Sequence, residues 1–204
     1  DDDGRIVDIE CAPARPSYSE AMMSVWVLER TLLEYLVEEA AARSVAHFVQ
    51  GVLLPKLDEL KICAYRHQGY VACIDSVRLY YKASLAALDE HVRREMFFDH
   101  GLVYTKVKDE VPARYGAEGT ASDSLVADGC VIEGSVEHSV LFRGVRVGRG
   151  ALVRNSILMS GAEVMDGAVV ENVIFDKGVL IRSGRKLIGQ PSYLIVVGKN
   201  QDIS

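Results

Sequence analysis

Residues 139–155 read SVLFRGVRVGRGALVRN, and residues 156–172 read SILMSGAEVMDGAVVEN. The two stretches start 17 positions apart and place the same kinds of residue at the same offsets. A related line opens upstream at Ser124, SLVADGCVIEGSVEH, and another downstream at Val173, VIFDKGVLIRSGRKLIG. Four consecutive lines with one grammar make an internal repeat. Repeats of this kind stack, because no single unit can bury its apolar face alone.

Inside a line, small or apolar residues recur every six positions: Ser139, Val145 and Ala151, then Ser156, Ala162 and Ala168. Each is followed two residues later by an aliphatic one: Leu141, Val147 and Val153, then Leu158, Val164 and Val170. An i, i+2 pair on one face is the pattern of a short strand. Glycines fall between the pairs in two columns, Gly144, Gly161 and Gly178, and Gly134, Gly150, Gly167 and Gly184, where the chain must turn sharply. Three short strands and their turns per line predict a triangular coil, and stacked coils a β-solenoid. An antiparallel sandwich would also show evenly spaced strands, but it has no reason to keep a six-residue inner period.

Alternation along a strand sends the residues between the inner pairs outward. Leu125, Val140, Ile157 and Ile174 then stack into one apolar stripe, read here as an interface with the first domain or with another subunit. Other outward columns carry charge. Arg143, Arg146, Arg149 and Arg154 form a run of cations that suggests an anionic effector site, yet the repeat also sets them beside acids. A shift by one line brings Arg146 to Glu163, Arg149 to Asp166, and Arg154 to Glu171 and Glu137. Cross-coil pairing is the reading adopted for this ladder. Residues 148–150, Gly-Arg-Gly, lack the strand–loop–helix setting of a phosphate loop and read as a turn.

The composition is that of an ordinary water-soluble chain: 204 residues, 49% hydrophobic, 25% charged, net charge −6. The acidity argues against a nucleic-acid partner, and no apolar run approaches the roughly 20 residues of a membrane span. Cys11, Cys63, Cys73 and Cys130 show no paired spacing and read as free thiols of a cytoplasmic protein. The opening, DDDGRIVDIE, has no initiator Met and reads as the middle of a domain, so the chain is expected to be the C-terminal part of a longer protein.

Ahead of the repeat the periodicity changes. Residues 22–28 read as a buried strand, and ERTLLEYLVEEAAA as a helix with Leu32, Leu33, Leu36 and Val37 on one face. A second helix is expected over 48–60, strands near 61–65 and 70–74, and a last helix over 77–88. This gives three parts: an α/β domain over 1–95, a linker over 96–120 broken by Pro112 and Gly116, and the solenoid over 121–204.

Several stretches carry a resemblance: DGRIVDI with the Pro and Arg-Pro that follow, HFVQGVLLPKL, GYVACIDSVRLYYKASLAAL and SLVADGCVIEGSVEHSVLFRGV. They resemble the ADP-glucose pyrophosphorylase (glucose-1-phosphate adenylyltransferase) family over nearly the whole chain. VYTKVKDEVPARYG and the Ile-Asp-Ser at 74–76 look most like its GlgD-type glycogen biosynthesis subunit. The resemblance implies a Rossmann-like nucleotidyltransferase domain, of which this is the C-terminal part, then a left-handed parallel β-helix of hexapeptide type, and a tetramer. The family's nucleotide-binding glycine loop lies upstream of the matched region and is not in this chain.

Three catalytic positions implied by the resemblance are replaced. Where catalytic members hold sugar phosphate with Glu-Lys-Pro, this chain has Cys11, Ala12 and Pro13. Met22 aligns with the sugar-contacting serine, and Ser24 with a family glycine. Cys73 aligns with the metal-binding aspartate, and Asp75 with another glycine. Phosphoryl-type transfer rests on positioning and charge neutralisation, and Mg2+ prefers hard oxygen ligands. No catalytic residue and no metal ligand is therefore assigned, and Mg2+ is expected only in a catalytic partner subunit. Asp75 could instead hold a metal, or could cap the helix after it; the cap is preferred.

The reading that follows is a modulatory, non-catalytic subunit in glycogen biosynthesis, assembling with a catalytic adenylyltransferase subunit in a hetero-tetramer, or with itself. An active nucleotidyltransferase subunit is the alternative. A hexapeptide acyltransferase using His138 as general base is the weaker one. Lys177 and Lys199 resemble lysines that bind anionic sugar-phosphate effectors in some members; with Arg143 they are the candidate effector residues.

Overall fold

The computed structural model describes residues 4–99, 101–106 and 108–204. The opening aspartates and positions 100 and 107 of the expected linker lie outside them. The chain separates into two compact units, residues 1–68 and 69–204. The last helix expected in the first domain, over 77–88, thus falls in the same unit as the solenoid.

In the first unit, helix α1 spans Arg30–Ala42. Only Leu36 of its expected apolar face is buried; Leu33 and Val37 are exposed. The expected second helix is irregular: a π-helical turn at Val49–Leu53 passes into a 3-10 turn at Leu54–Lys56. Pro55 has no N–H to give to the carbonyl four residues back, and its ring crowds that carbonyl, so the regular helix fails there. Lys56 bridges to Glu39 of α1 at 3.0 Å and lies over the Tyr35 ring. The expected strands do not form. Residues 22–28 form no strand, with Ser24 in a left-handed turn and Val27 almost fully exposed, and a single antiparallel bridge joins Arg5 to Cys63 among the described residues. A strand needs a neighbour for its ladder, and among the described residues nothing pairs with 22–28.

In the second unit, helix α2 covers Val77–Ala86. Ser76, not Asp75, caps it by accepting from the Leu79 N–H, which corrects the role assigned to Asp75. A short helix α3, Glu90–Arg94, follows, capped by Asp89, and a π-helical turn at Glu95–Asp99 runs into the expected linker.

The solenoid begins within that linker too, because Arg114–Tyr115 already pairs with Val131–Ile132. Three parallel sheets form its faces. The first holds Arg114–Tyr115, Val131–Ile132, Arg146–Val147, Glu163–Val164, Leu180–Ile181 and Asp202–Ile203. The second holds Thr120–Ser122, Ser135–Glu137, Leu152–Arg154, Val169–Glu171 and Lys186–Ile188. The third holds Leu125–Val126, Val140–Leu141, Ile157–Leu158, Val173–Phe175 and Ile195–Val197. Strands of one coil are never paired with each other; each pairs with its equivalent one coil away, as a solenoid requires. The hexapeptide β-helix read from the repeat is thus the observed architecture, in keeping with the left-handed form that the resemblance implies.

Every inner position named from the six-residue period is buried, from Ser139 and Val145 to Ala168 and Val170. Each fully buried aliphatic side chain contributes roughly 1.5–3 kcal/mol, and stacked coils sum these into one core around Phe175. One glycine column is corrected. Gly150, Gly167 and Gly184 share a left-handed φ, but Gly134 does not. It packs against Ala151, whose carbonyl oxygen leaves no room for a Cβ. The first coil is shorter by two residues at that corner, so Gly129 stands below Gly144 and Gly134 below Ala151.

Candidate functional site

The solenoid has three corners, and two carry the residues of interest. At the corner leading from the second face to the third, the turning residue is left-handed in four successive coils: Asp123 (φ 44°), His138 (44°), Asn155 (46°) and Asn172 (53°). Outside glycine, Asn, Asp and His enter this region most readily because their short polar side chains bond locally. His138 therefore has a backbone task, and its ring Nδ1 is bonded to the Asp123 carboxylate one coil away.

Just inside this corner runs a column of serines. The hydroxyls of Ser124, Ser139 and Ser156 each donate to the carbonyl two residues back, at 2.7 Å. Each also accepts the N–H of the equivalent residue in the next coil, at 3.1–3.2 Å. Ser139 and Ser156 are fully buried. Sequence reading took them only as small inner residues; their polarity was the available signal.

The corner leading from the third face to the first carries the cations. Its backbone bonds run from Gly144 N–H to Asp128 carbonyl, Gly161 to Arg143, Gly178 to Ser160 and Asn200 to Lys177. Asp128, Arg143, Ser160, Lys177 and Lys199 are accordingly equivalent positions on successive coils. Coils repeat at about 4.8 Å, so the three residues singled out as effector candidates share one exposed edge, Lys177 beside Lys199, and Arg143 two coils below Lys177. Ser160 lies between Arg143 and Lys177. Near the acidic end of this edge, Lys108, and more weakly Arg143, hold the Glu110 carboxyl below its ordinary range.

The charge ladder is partly realised. Arg154 Nε lies 2.8 Å from Glu137 Oε2, and its strand neighbour on the other side is Glu171. Both acids raise the Arg154 pKa, Glu137 first through its hydrogen bond. Arg146 and Glu163 are register partners. At Arg149 the Asp166 carboxylate takes the backbone N–H, not the guanidinium. Leu125, Val140, Ile157 and Ile174 do stack in register on the third face. Ile157 and Ile174 are buried, Val140 and Leu125 half-buried, and Val196 of the next coil exposed.

The positions that the resemblance aligns with catalytic residues offer little chemistry. In the first unit Cys11 is half-buried, Ala12 takes a left-handed φ of 48°, and Met22 is exposed. Ser24 keeps the left-handed shape (φ 56°) where the family places glycine. In the second unit Cys73 and Asp75 are both exposed. A lone thiol is a soft donor that suits Mg2+ poorly. Among the described residues no group of three or more His, Cys, Asp or Glu could hold a metal ion. No helix among them is long and apolar enough to cross a membrane.

A parallel three-faced solenoid with a six-residue inner period defines the hexapeptide class, and residues 109–192 match the family model described as GlmU-like, C-terminal hexapeptide. The wider chain is homologous to GlgD and to glucose-1-phosphate adenylyltransferases. It is 37% identical to the glycogen biosynthesis protein GlgD of Bacillus subtilis over 132 residues, covering 65% of this chain and 38% of that one. Against GlgD of Geobacillus stearothermophilus the identity is 41%, over 45% of this chain and 34% of that one. Against glucose-1-phosphate adenylyltransferase of Halalkalibacterium halodurans it is 33%, over 98% of this chain and 53% of the relative. The chain thus spans between about a third and a half of these relatives.

Proposed function

We propose that this chain belongs to a modulatory, non-catalytic subunit of glucose-1-phosphate adenylyltransferase acting in glycogen biosynthesis. One observation carries the reading: a chain alignable over 98% of its length with an adenylyltransferase has Cys11, Ala12, Met22 and Cys73 where the resemblance expects two phosphate-holding groups, a sugar-contacting serine and a metal-binding carboxylate. An alanine cannot neutralise a phosphate, and a thiol is a poor ligand for a hard cation. What the chain keeps is a rigid solenoid with a cationic edge.

In this reading the subunit assembles with a catalytic adenylyltransferase subunit and changes its response to an anionic sugar phosphate. Lys177 and Lys199, with Arg143 further along the edge, are the groups that would meet the anion. Of the apolar column Leu125–Val140–Ile157–Ile174, the two isoleucines are already covered within this chain, and the half-buried Leu125 and Val140 are what would be left to serve as an interface. His138 is not assigned a general-base role, because the left-handed φ at this corner already accounts for a histidine there.

The test is a titration of the full-length protein into a catalytic subunit supplied with ATP, Mg2+ and glucose-1-phosphate. Co-assembly and a shifted response to sugar-phosphate effectors are expected, and Lys177→Ala with Lys199→Ala should blunt that shift while assembly persists. A catalytic subunit indifferent to the added protein would overturn the reading.

A further inference from the structure

The backbone N–H that opens each strand of the third face has a choice of acceptor. It can bond the carbonyl of the corner residue one coil earlier, or the serine hydroxyl beside that carbonyl. Where a serine is present the hydroxyl wins: Ser156 N–H goes to Ser139 Oγ at 3.1 Å, and Val173 N–H to Ser156 Oγ at 3.2 Å. In the following coil the serine position is held by Val173, and the Ile195 N–H bonds the Asn172 carbonyl at 3.3 Å instead. The serine column thus frees a row of corner carbonyls from the solenoid's own ladder. One of them, at Asn155, accepts the hydroxyl of Tyr81 from helix α2 at 2.7 Å.

We propose that Tyr81 is a positioning residue that fixes the seat of α2 on the solenoid, and that Ser156 governs it indirectly by keeping the Asn155 carbonyl available. Ser156 bonds Val173 and Arg154 and acts on the helix only by deciding which acceptor the Val173 N–H takes. Tyr81 stands in the middle of α2, so its bond ties the helix to one particular coil. The neighbouring corner carbonyl at His138 is a second acceptor of the same kind, and choice between coils is what the bond removes. Burial raises the Tyr81 pKa, so the phenol stays a donor at neutral pH. The mechanism requires no ligand and is independent of the function proposed above.

The measurement is amide hydrogen exchange across α2 in the intact protein, with solenoid core amides as internal reference. Tyr81→Phe keeps the ring and removes the donor; α2 amides should exchange about five- to tenfold faster, the effect of one net hydrogen bond, with the core unchanged. Ser156→Ala returns the Val173 N–H to the Asn155 carbonyl, so α2 should speed up by a similar factor. The double variant should be no faster than either single one. Ser139→Ala makes the same change one coil earlier: the Ser156 N–H turns to the His138 carbonyl and leaves that of Asn155 free for Tyr81, so α2 should exchange at the wild-type rate. The proposal fails if Tyr81→Phe leaves α2 unchanged, if α2 ignores Ser156→Ala, or if both serine variants speed it alike. Should Ser156→Ala not fold, Tyr81→Phe alone still decides.

Discussion

At the scale of single residues, the corners of the solenoid carry more chemistry than its faces. Ser139 closes two hydrogen bonds in a fully buried setting. In Ser139→Ala the Ser156 N–H can turn to the His138 carbonyl, as the Ile195 N–H does to that of Asn172, so the loss is that of a net hydrogen bond. Urea unfolding should report about 0.5–1.5 kcal/mol. Ser124→Ala, at a half-buried position, should lose less. His138 makes the complementary case. If its task is to hold a left-handed φ, His138→Asn should be nearly neutral, whereas His138→Ala should cost about 1–2 kcal/mol. Equal loss in both variants would show that the imidazole matters for something other than the turn. This column was hard to read in the sequence because Asp123, His138, Asn155 and Asn172 look unrelated until their shared φ is known. The serines were legible only as small inner residues, since nothing local announces which hydroxyl a neighbouring coil will use.

Among elements, legibility follows how far each one depends on its neighbours. The strands of the repeat were readable because each is flanked by copies of itself, so the 17-residue period carried both register and partner. Arg154 and Glu137 were paired on that basis, and they lie 2.8 Å apart. Both side chains are well exposed, so Arg154→Ala should lower Tm only slightly, and less at high salt where the attraction is screened. Arg182 and Asp202, joined by two hydrogen bonds between the last coils, give a pH signature. Arg182 holds the Asp202 carboxyl below its ordinary range. Unfolded Asp202 therefore binds protons more readily than folded Asp202, and stability falls as pH drops through the carboxylate range. Melting curves of the wild type and Arg182→Gln, taken from neutral pH to pH ~3, should converge at the acid end; a gap that stays constant would contradict this. Elements without repeated neighbours were read less well. Residues 22–28 have strand composition but no ladder partner among the described residues, and Pro55 broke a helix that apolar spacing alone would have continued.

For the whole molecule, the solenoid and its homology define what the chain is built from, while the proposed modulatory role rests on the residues that stand at the family's catalytic positions, Cys11, Ala12 and Met22 in the first unit and Cys73 in the second. The cationic edge and the replaced catalytic positions are separate observations, and each supports the proposed role of sensing an anion without turning it over. The central claim is the absence of intrinsic adenylyl transfer, and it is tested most directly by one assay. Full-length protein, without any partner subunit, is incubated with ATP, Mg2+ and glucose-1-phosphate, and pyrophosphate release is followed together with ADP-glucose. Neither product should rise above the enzyme-free blank, with or without sugar-phosphate effectors. Sustained formation of both by the purified protein alone would contradict the account.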